Sequence, residues 1–235
     1  MPTHAGRTRA LPCAAEALEH LGSADPKLRR LIEQVGPCTL RLPARPSPFE
    51  ALARSIIYQQ LHGKAAASIH TRLLASFEPV CGLGVHPSPQ DLLDCPNAQL
   101  REAGLSANKA LALRDLAAKA VDGTVPTLAR ARRMSDEELI EHLTAVRGIG
   151  RWTVEMFLIF WLGRPDILPV DDYGVRKGFA LTFLGLKPTA KVTPVDLPKA
   201  DVMLHRAKRW QPFRSVASWY MWRAADLAGV AAKTK

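Results

Sequence analysis

A tight glycine turn, Gly148-Ile149-Gly150, is set in the run Leu143-Thr144-Ala145-Val146-Arg147-Gly148-Ile149-Gly150-Arg151-Trp152-Thr153-Val154. Two glycines around one apolar residue let the backbone take positive φ and approach another body closely. Such a turn aims consecutive backbone N–H groups outward at the start of the next helix, where the helix dipole strengthens them. A phosphate fits that nest, and Arg147 and Arg151 flank it with charge that reads no base. The plain alternative is an αα-corner, in which Gly-x-Gly is a common turn. A second feature is Asp171–Asp172, at the end of Leu168-Pro169-Val170 and just before Tyr173. Aspartate is strongly preferred at a helix start. Two in a row make a capping role for both less economical.

Other chemistry is excluded by spacing. Cys13, Cys38, Cys81 and Cys95 lie 25, 43 and 14 residues apart. No C-x-x-C pair exists, so a zinc knuckle or thioredoxin motif is ruled out. The spread reads as reduced thiols in a cytosolic compartment. No apolar run reaches the roughly 20 residues of a membrane span. The first 15 residues contain Arg7 and Arg9 but no signal-peptide apolar core.

Nearly every segment around these residues reads with helical period, and the fold class is all-α with roughly ten helices on short connections. Residues 1–13 read as a loose tail. Short helices are expected over 14–21 and 25–35, with Pro26 in a first turn. Pro43, Pro46 and Pro48 mark a linker. A strong helix begins at Ser47 and runs through Tyr58 toward Leu61, where Gly63 ends or breaks it, and an alanine-rich helix follows over 64–77. Ser106 caps a helix to Ala120. Ser135-x-x-Glu138 is a capping box for a helix to Val146. After the glycine turn a helix covers Trp152–Leu162, and Pro165 stops it. Another runs from Asp171–Asp172 to about Leu184, and helices over 199–210 and 213–229 close the chain. Only Cys38–Leu42 reads as a stray extended stretch.

Of 235 residues, 32 are Lys or Arg and 22 Asp or Glu, a net charge of +10 that points to a polyanionic partner. Its placement sharpens this. Residues 48–125 hold seven basic and seven acidic residues, whereas 199–235 hold eight basic residues against Asp201 and Asp226.

Taken together, Leu-x-x-Val-x-Gly-Ile-Gly-Arg-Trp-Thr and the later Leu-Pro-Val-Asp-Asp-Tyr resemble the helix–hairpin–helix DNA glycosylases, most closely the 3-methyladenine DNA glycosylase II (AlkA) type. Ile56-Ile57-Tyr58-Gln59-Gln60-Leu61 upstream, and Arg209-Trp210-x-Pro212-x-Arg214-Ser215 to Trp222 downstream, extend the resemblance over roughly residues 48–228. It implies excision of alkylated bases from double-stranded DNA by hydrolysis of the N-glycosidic bond after base flipping, leaving an abasic site. It implies two helical domains with the active site in the cleft between them. Segment 49–164 would form one, and 1–48 would pack with 165–235 in the other. The chain before residue 48 is too short for the extra N-terminal β domain of the AlkA archetype. No cofactor, no membrane and a monomer are expected.

The site residues follow from the same resemblance. Asp172, twenty residues after Trp152, would stabilise the positive charge that develops on the sugar, and Asp171 would cap the helix. Trp152, Tyr173 and Trp222, with Tyr58, would line the pocket and attract a cationic base. Met156 stands where the archetype has a tyrosine. Leu61 would be the wedge that fills the hole left by flipping, and Gln60 would bond the orphaned partner base. Arg147, Gly148, Ile149, Gly150, Arg151 and Thr153 would hold DNA. The carbonyls of Thr144, Val146 and Ile149 would hold a monovalent cation. Bifunctional relatives carry a Schiff-base lysine where this chain has Trp152, so the reaction is expected to be monofunctional. No cysteine-rich iron–sulfur loop is present.

Two other readings stay open. One is a non-catalytic helix–hairpin–helix DNA-binding protein, for which an acidic doublet facing phosphates is of no use. The other is a glycosylase for oxidised or mismatched bases, and Trp152 in place of lysine argues against its lyase form.

Overall fold

A computed structural model of the protein describes residues 8–10, 14–43, 47–190 and 192–233. Helical periodicity becomes helix over most of this length. Along the chain come β1 (Thr8–Ala10), α1 (Ala14–Ala24), α2 (Pro26–Val35) and β2 (Arg41–Pro43). Then follow α3 (Pro48–Tyr58), α4 (Gly63–Ser76), α5 (Glu78–Cys81), α6 (Pro89–Asp94), α7 (Asn97–Glu102), α8 (Ala107–Val121), α9 (Leu128–Ala131), α10 (Asp136–Thr144) and α11 (Arg151–Phe157). A π-helical turn, Leu158–Leu162, continues from α11, and α12 (Tyr173–Phe183), α13 (Ala200–Ala207) and α14 (Arg214–Lys233) complete the order.

Local chemistry explains the helix starts. Ser106 accepts from the Lys109 amide, and Ser135 and Glu138 form the reciprocal capping box. Ser47 caps α3 with Pro48 at its first position. Three expectations need correction. Residues 8–10 are not a loose tail but pair antiparallel with β2, Thr8 opposite Pro43. A strand of three residues carries too little alternation to be read from sequence. Gly63 does not end the α3 run; α3 stops at Tyr58, and Gly63 opens α4 behind a His62 cap. The expected single helix 152–162 changes to π-helical winding after Phe157.

The chain divides into two compact units, residues 45–157 and residues 1–44 with 158–235. The boundaries fall at 44/45 and 157/158 rather than at 48/49 and 164/165, because the π turn packs on β2. In unit 45–157, α3 packs on α8, α4 and α11, and α6 packs on α8. Its core includes Leu52, Ile56, Ile57, Leu73, Leu113, Leu116, Leu143 and Phe157. Each such buried side chain contributes about 1.5–3 kcal/mol over its exposed state.

In the other unit, α12 and α14 form the main seam and α2 packs on both. At Gly178 the two backbones touch. A Cβ there would overlap the Met221 carbonyl and lie 2.7 Å from its Cα. Buried Asp25 anchors the same unit. It caps α2 through the Lys27 amide and takes two bonds from Arg206, at 2.8 and 2.9 Å, and one from Trp210. Burial works to raise the Asp25 carboxyl, and these donors outweigh it and hold it below the usual aspartate range. None of the described helices is long and apolar enough to cross a membrane.

Candidate active site

In unit 45–157 the loop after α3, which carries Gln60 and Leu61, and the hairpin are fixed to each other and to α8. Lys109 of α8 donates to the carbonyls of Ile57 and Gln59, at 2.7 and 2.8 Å. Burial pulls its ammonium below the usual lysine range. Gln59 in turn donates through Nε2 to the Gly148 carbonyl at 2.9 Å. Six residues after Lys109, Asp115 accepts the Arg147 backbone N–H at 2.7 Å and pairs with Lys119. Burial works to raise Asp115, but the Arg147 amide and Lys119 hold it below the usual range.

Between these tethers the chain turns outward. Gln60 is exposed at φ 55, an uncommon setting for a residue with a side chain. Leu61 follows with 39% of its surface exposed, so it is not a core leucine. An apolar tip on a braced loop is what a wedge needs.

The hairpin differs from the simple nest in four respects. Gly148 takes φ 77 as expected. The Arg147 amide, however, is bound by Asp115, and the Ile149 amide by the Val146 carbonyl at 3.0 Å, so neither points at a ligand. Arg151 makes a two-bonded pair with Glu137, at 2.7 and 3.1 Å, and a third contact to Glu155. Thr153 has its side chain buried and offers DNA none. Ile149 is also buried and serves as the turn's anchor. Arg147 is exposed, as is Gly150, where a Cβ would meet open space. The Thr144, Val146 and Ile149 carbonyls are hard, neutral oxygens that suit an alkali cation, and Val146 spends one lone pair on Ile149.

The aromatic candidates occupy different settings. Trp152 is 47% exposed at the start of α11, with Met156 half-buried one turn on. Tyr58 ends α3, half-buried, with the Arg54 guanidinium 4.2 Å over its ring, so one face already holds a cation.

In the other unit stand Asp172, Tyr173 and Trp222. The Asp172 amide bonds the Pro169 carbonyl, closing a turn that leaves Asp171 on the exposed bend and Asp172 at the helix start. The expected division of labour is therefore corrected. Asp172 caps α12, accepting the Val175 amide at 2.8 Å, and Asp171 does not. The cap does not remove Asp172 from chemistry. The residue is 9% exposed, sits at a helix N-terminus, and its carboxylate also accepts Trp222 Nε1–H at 2.7 Å. Tyr173 is 58% exposed beside it.

Sequence reading missed Gln59, Lys109, Asp115 and Gly174. The partners of the first three lie 32 to 89 residues away, out of reach of any local pattern. Gly174 did leave a signal. Gly174 and Gly178 recur four apart on one face of a helix, at about 1 kcal/mol each against alanine, which marks a close approach. Among the described residues no cluster of three or more metal-ligating side chains occurs.

The chain is 38% identical over 210 residues to DNA-3-methyladenine glycosylase 1 of Schizosaccharomyces pombe, covering 89% of this chain and 86% of that relative. The fold matches the solved structure of the S. pombe 3-methyladenine DNA glycosylase in complex with abasic DNA, with TM-score 0.73 and 36% identity, over 91% of this chain and 98% of that one. It also matches a DNA-3-methyladenine glycosidase from Bacillus halodurans, with TM-score 0.77 and 30% identity, over 97% and 94%. Residues 53–199, which hold the braced loop, the hairpin and Asp172, match the family described as HhH-GPD superfamily base excision DNA repair protein, and the chain belongs to that superfamily.

Proposed function

We propose that the protein excises alkylated purines of the 3-methyladenine type from double-stranded DNA, hydrolysing the N-glycosidic bond and leaving an abasic site. The observation that carries this is Asp172: a buried carboxylate at a helix N-terminus, oriented by an indole N–H. Departure of a cationic base leaves positive charge on the sugar. A fixed carboxylate lowers the energy of that state more than of the ground state and can take a proton from the attacking water. Tyr173, well exposed beside Asp172, offers an aromatic face to an electron-deficient base. Arg147 and the backbone at Gly148 and Gly150 meet phosphate. A monovalent cation on the Thr144, Val146 and Ile149 carbonyls would add positive charge there. Gln60 faces the unpaired partner base.

Water, not an amine, is the nucleophile. Trp152 cannot form a Schiff base, and the Lys109 ammonium is committed to two carbonyls. The test is incubation with DNA carrying 3-methyladenine, 7-methylguanine, ethenoadenine or hypoxanthine, with borohydride present in a parallel arm. Free alkylated purine, no trapped protein–DNA adduct, and strand breaks only after alkali are expected. A borohydride-trapped adduct that disappears on mutating one lysine would overturn hydrolysis.

Leu61 supplies a separate check. Leu61→Ala is expected to slow excision on intact duplex more than on mismatched or single-stranded substrate, because only paired DNA carries the full unstacking cost of a few kcal/mol. Equal slowing on all three substrates would remove the wedge role.

A further inference from the structure

Gly178 is bare because two backbones meet there. Gly174, one turn earlier, is bare for a different reason. A Cβ at 174 would lie 2.6 Å from Trp222 Cδ1, 3.1 Å from its Nε1 and 3.2 Å from Asp172 Oδ1. The missing side chain is the space through which the indole reaches the first turn of α12. There Trp222 Nε1–H donates to Asp172 Oδ1 at 2.7 Å, the same oxygen that accepts the Val175 amide at 2.8 Å. Behind the indole stands Phe160 of the π-helical turn, ring centroids 5.3 Å apart and planes at 34°.

We infer that Trp222 is a positioning residue for the Asp172 carboxylate, admitted to it by the bare Gly174 and backed by Phe160. This rests on Asp172 being the carboxylate that acts. A carboxylate held by one helix amide can still turn about its side-chain bonds. Two donors from different elements on one oxygen fix its plane. The choice of donor also has a reason. Arginine or lysine would hold the carboxylate as firmly but would cancel the negative charge that a sugar cation needs. An indole is donor only and neutral, so it orients the carboxylate and leaves its charge in place. Its ring carbons also cover the first turn of α12, which keeps water from competing for Oδ1. This role runs through the N–H and differs from stacking on a base, which runs through the ring face.

Two variants separate the possibilities. Trp222→Phe keeps an aromatic ring against Phe160 and removes the donor. Gly174→Ala keeps indole and carboxylate and forces them apart. Each is expected to lower the single-turnover excision rate about 10- to 100-fold, the worth of one hydrogen bond to a charged group. The Kd for undamaged duplex should stay at the wild-type value. In an Asp172→Asn background Trp222→Phe should add no further loss, measured on a cationic purine lesion whose weakened bond keeps the residual rate readable. Wild-type rates in both variants would overturn the inference. So would a Trp222→Phe loss as large in the Asp172→Asn background as in the parent, since the ring would then act on substrate directly. Full activity of Asp172→Asn itself would instead remove the catalytic carboxylate, a distinguishable failure. Should Trp222→Phe lose its cooperative melt, Gly174→Ala, which deletes no group, decides alone.

Discussion

Asp172→Asn is expected to fold normally and to release base roughly 10²- to 10³-fold more slowly than the parent, the loss typical of removing one preorganised electrostatic partner. The reason lies in what asparagine keeps. Its Oδ1 can still accept the Val175 amide and the Trp222 indole N–H, so cap and orientation persist. Only the negative charge is gone, and in the proposed reaction that charge stabilises the cation forming on the sugar. Single-turnover base release read beside a thermal melt checks this: a large rate loss with the melting temperature nearly unmoved. Asp172→Ala should show the same rate loss and also a cap deficit of about 1 kcal/mol. Asp171, exposed on the bend before the helix, should tolerate asparagine at little cost to either quantity. An inactive Asp171→Asn beside an active Asp172→Asn would reverse the assignment.

The second large effect is one of packing. Gly178→Ala should cost about 3 kcal/mol or more, at the upper end of overpacking penalties, because the new methyl group meets backbone and no flexible side chain can yield. At that cost the melting temperature falls on the order of 10 °C. Activity should fall as well in the fraction that stays folded. The seam forced open joins the helix that Asp172 caps to the helix that carries Trp222. Gly229→Ala on α14 is the matched control. Nothing lies within 4 Å of its Cβ position, so it should be neutral or gain about 0.5–1 kcal/mol from helix propensity. Equal melting temperatures for the two variants would show that the α12–α14 seam is not as tight as its geometry indicates.

What could be read from sequence was what is local. Ser106 and the Ser135–Glu138 box announce their helices within four residues, and the structure forms both caps. The glycine hairpin is visible as a motif, and the motif's extent marks the family. Which aspartate caps α12 was not visible, because both are good caps. The turn that Asp172 N–H closes on Pro169 decides it. Nor could sequence show that the aspartate proposed to act is itself the cap of α12. The fates of Arg151 and Lys109 were hidden for a related reason. Their partners are set by how helices pack, with Glu137 fourteen residues from Arg151 and Ile57 fifty-two from Lys109. The pair β1–β2 escaped because each strand has three residues and its partner is distant.

The Arg151–Glu137 pair changes the ionic bookkeeping of the hairpin. An arginine that must leave a carboxylate before meeting a phosphate exchanges one anion for another, and its own charge releases little from the ion atmosphere of DNA. Each phosphate neutralised by a free cation lowers the salt exponent of binding by about 0.9. A count of basic side chains along the hairpin therefore overstates its sensitivity to ionic strength. Of its two flanking arginines, only Arg147 is left to contribute a full share of counterion release, half of what two would suggest, while Arg151 holds α11 against the start of α10.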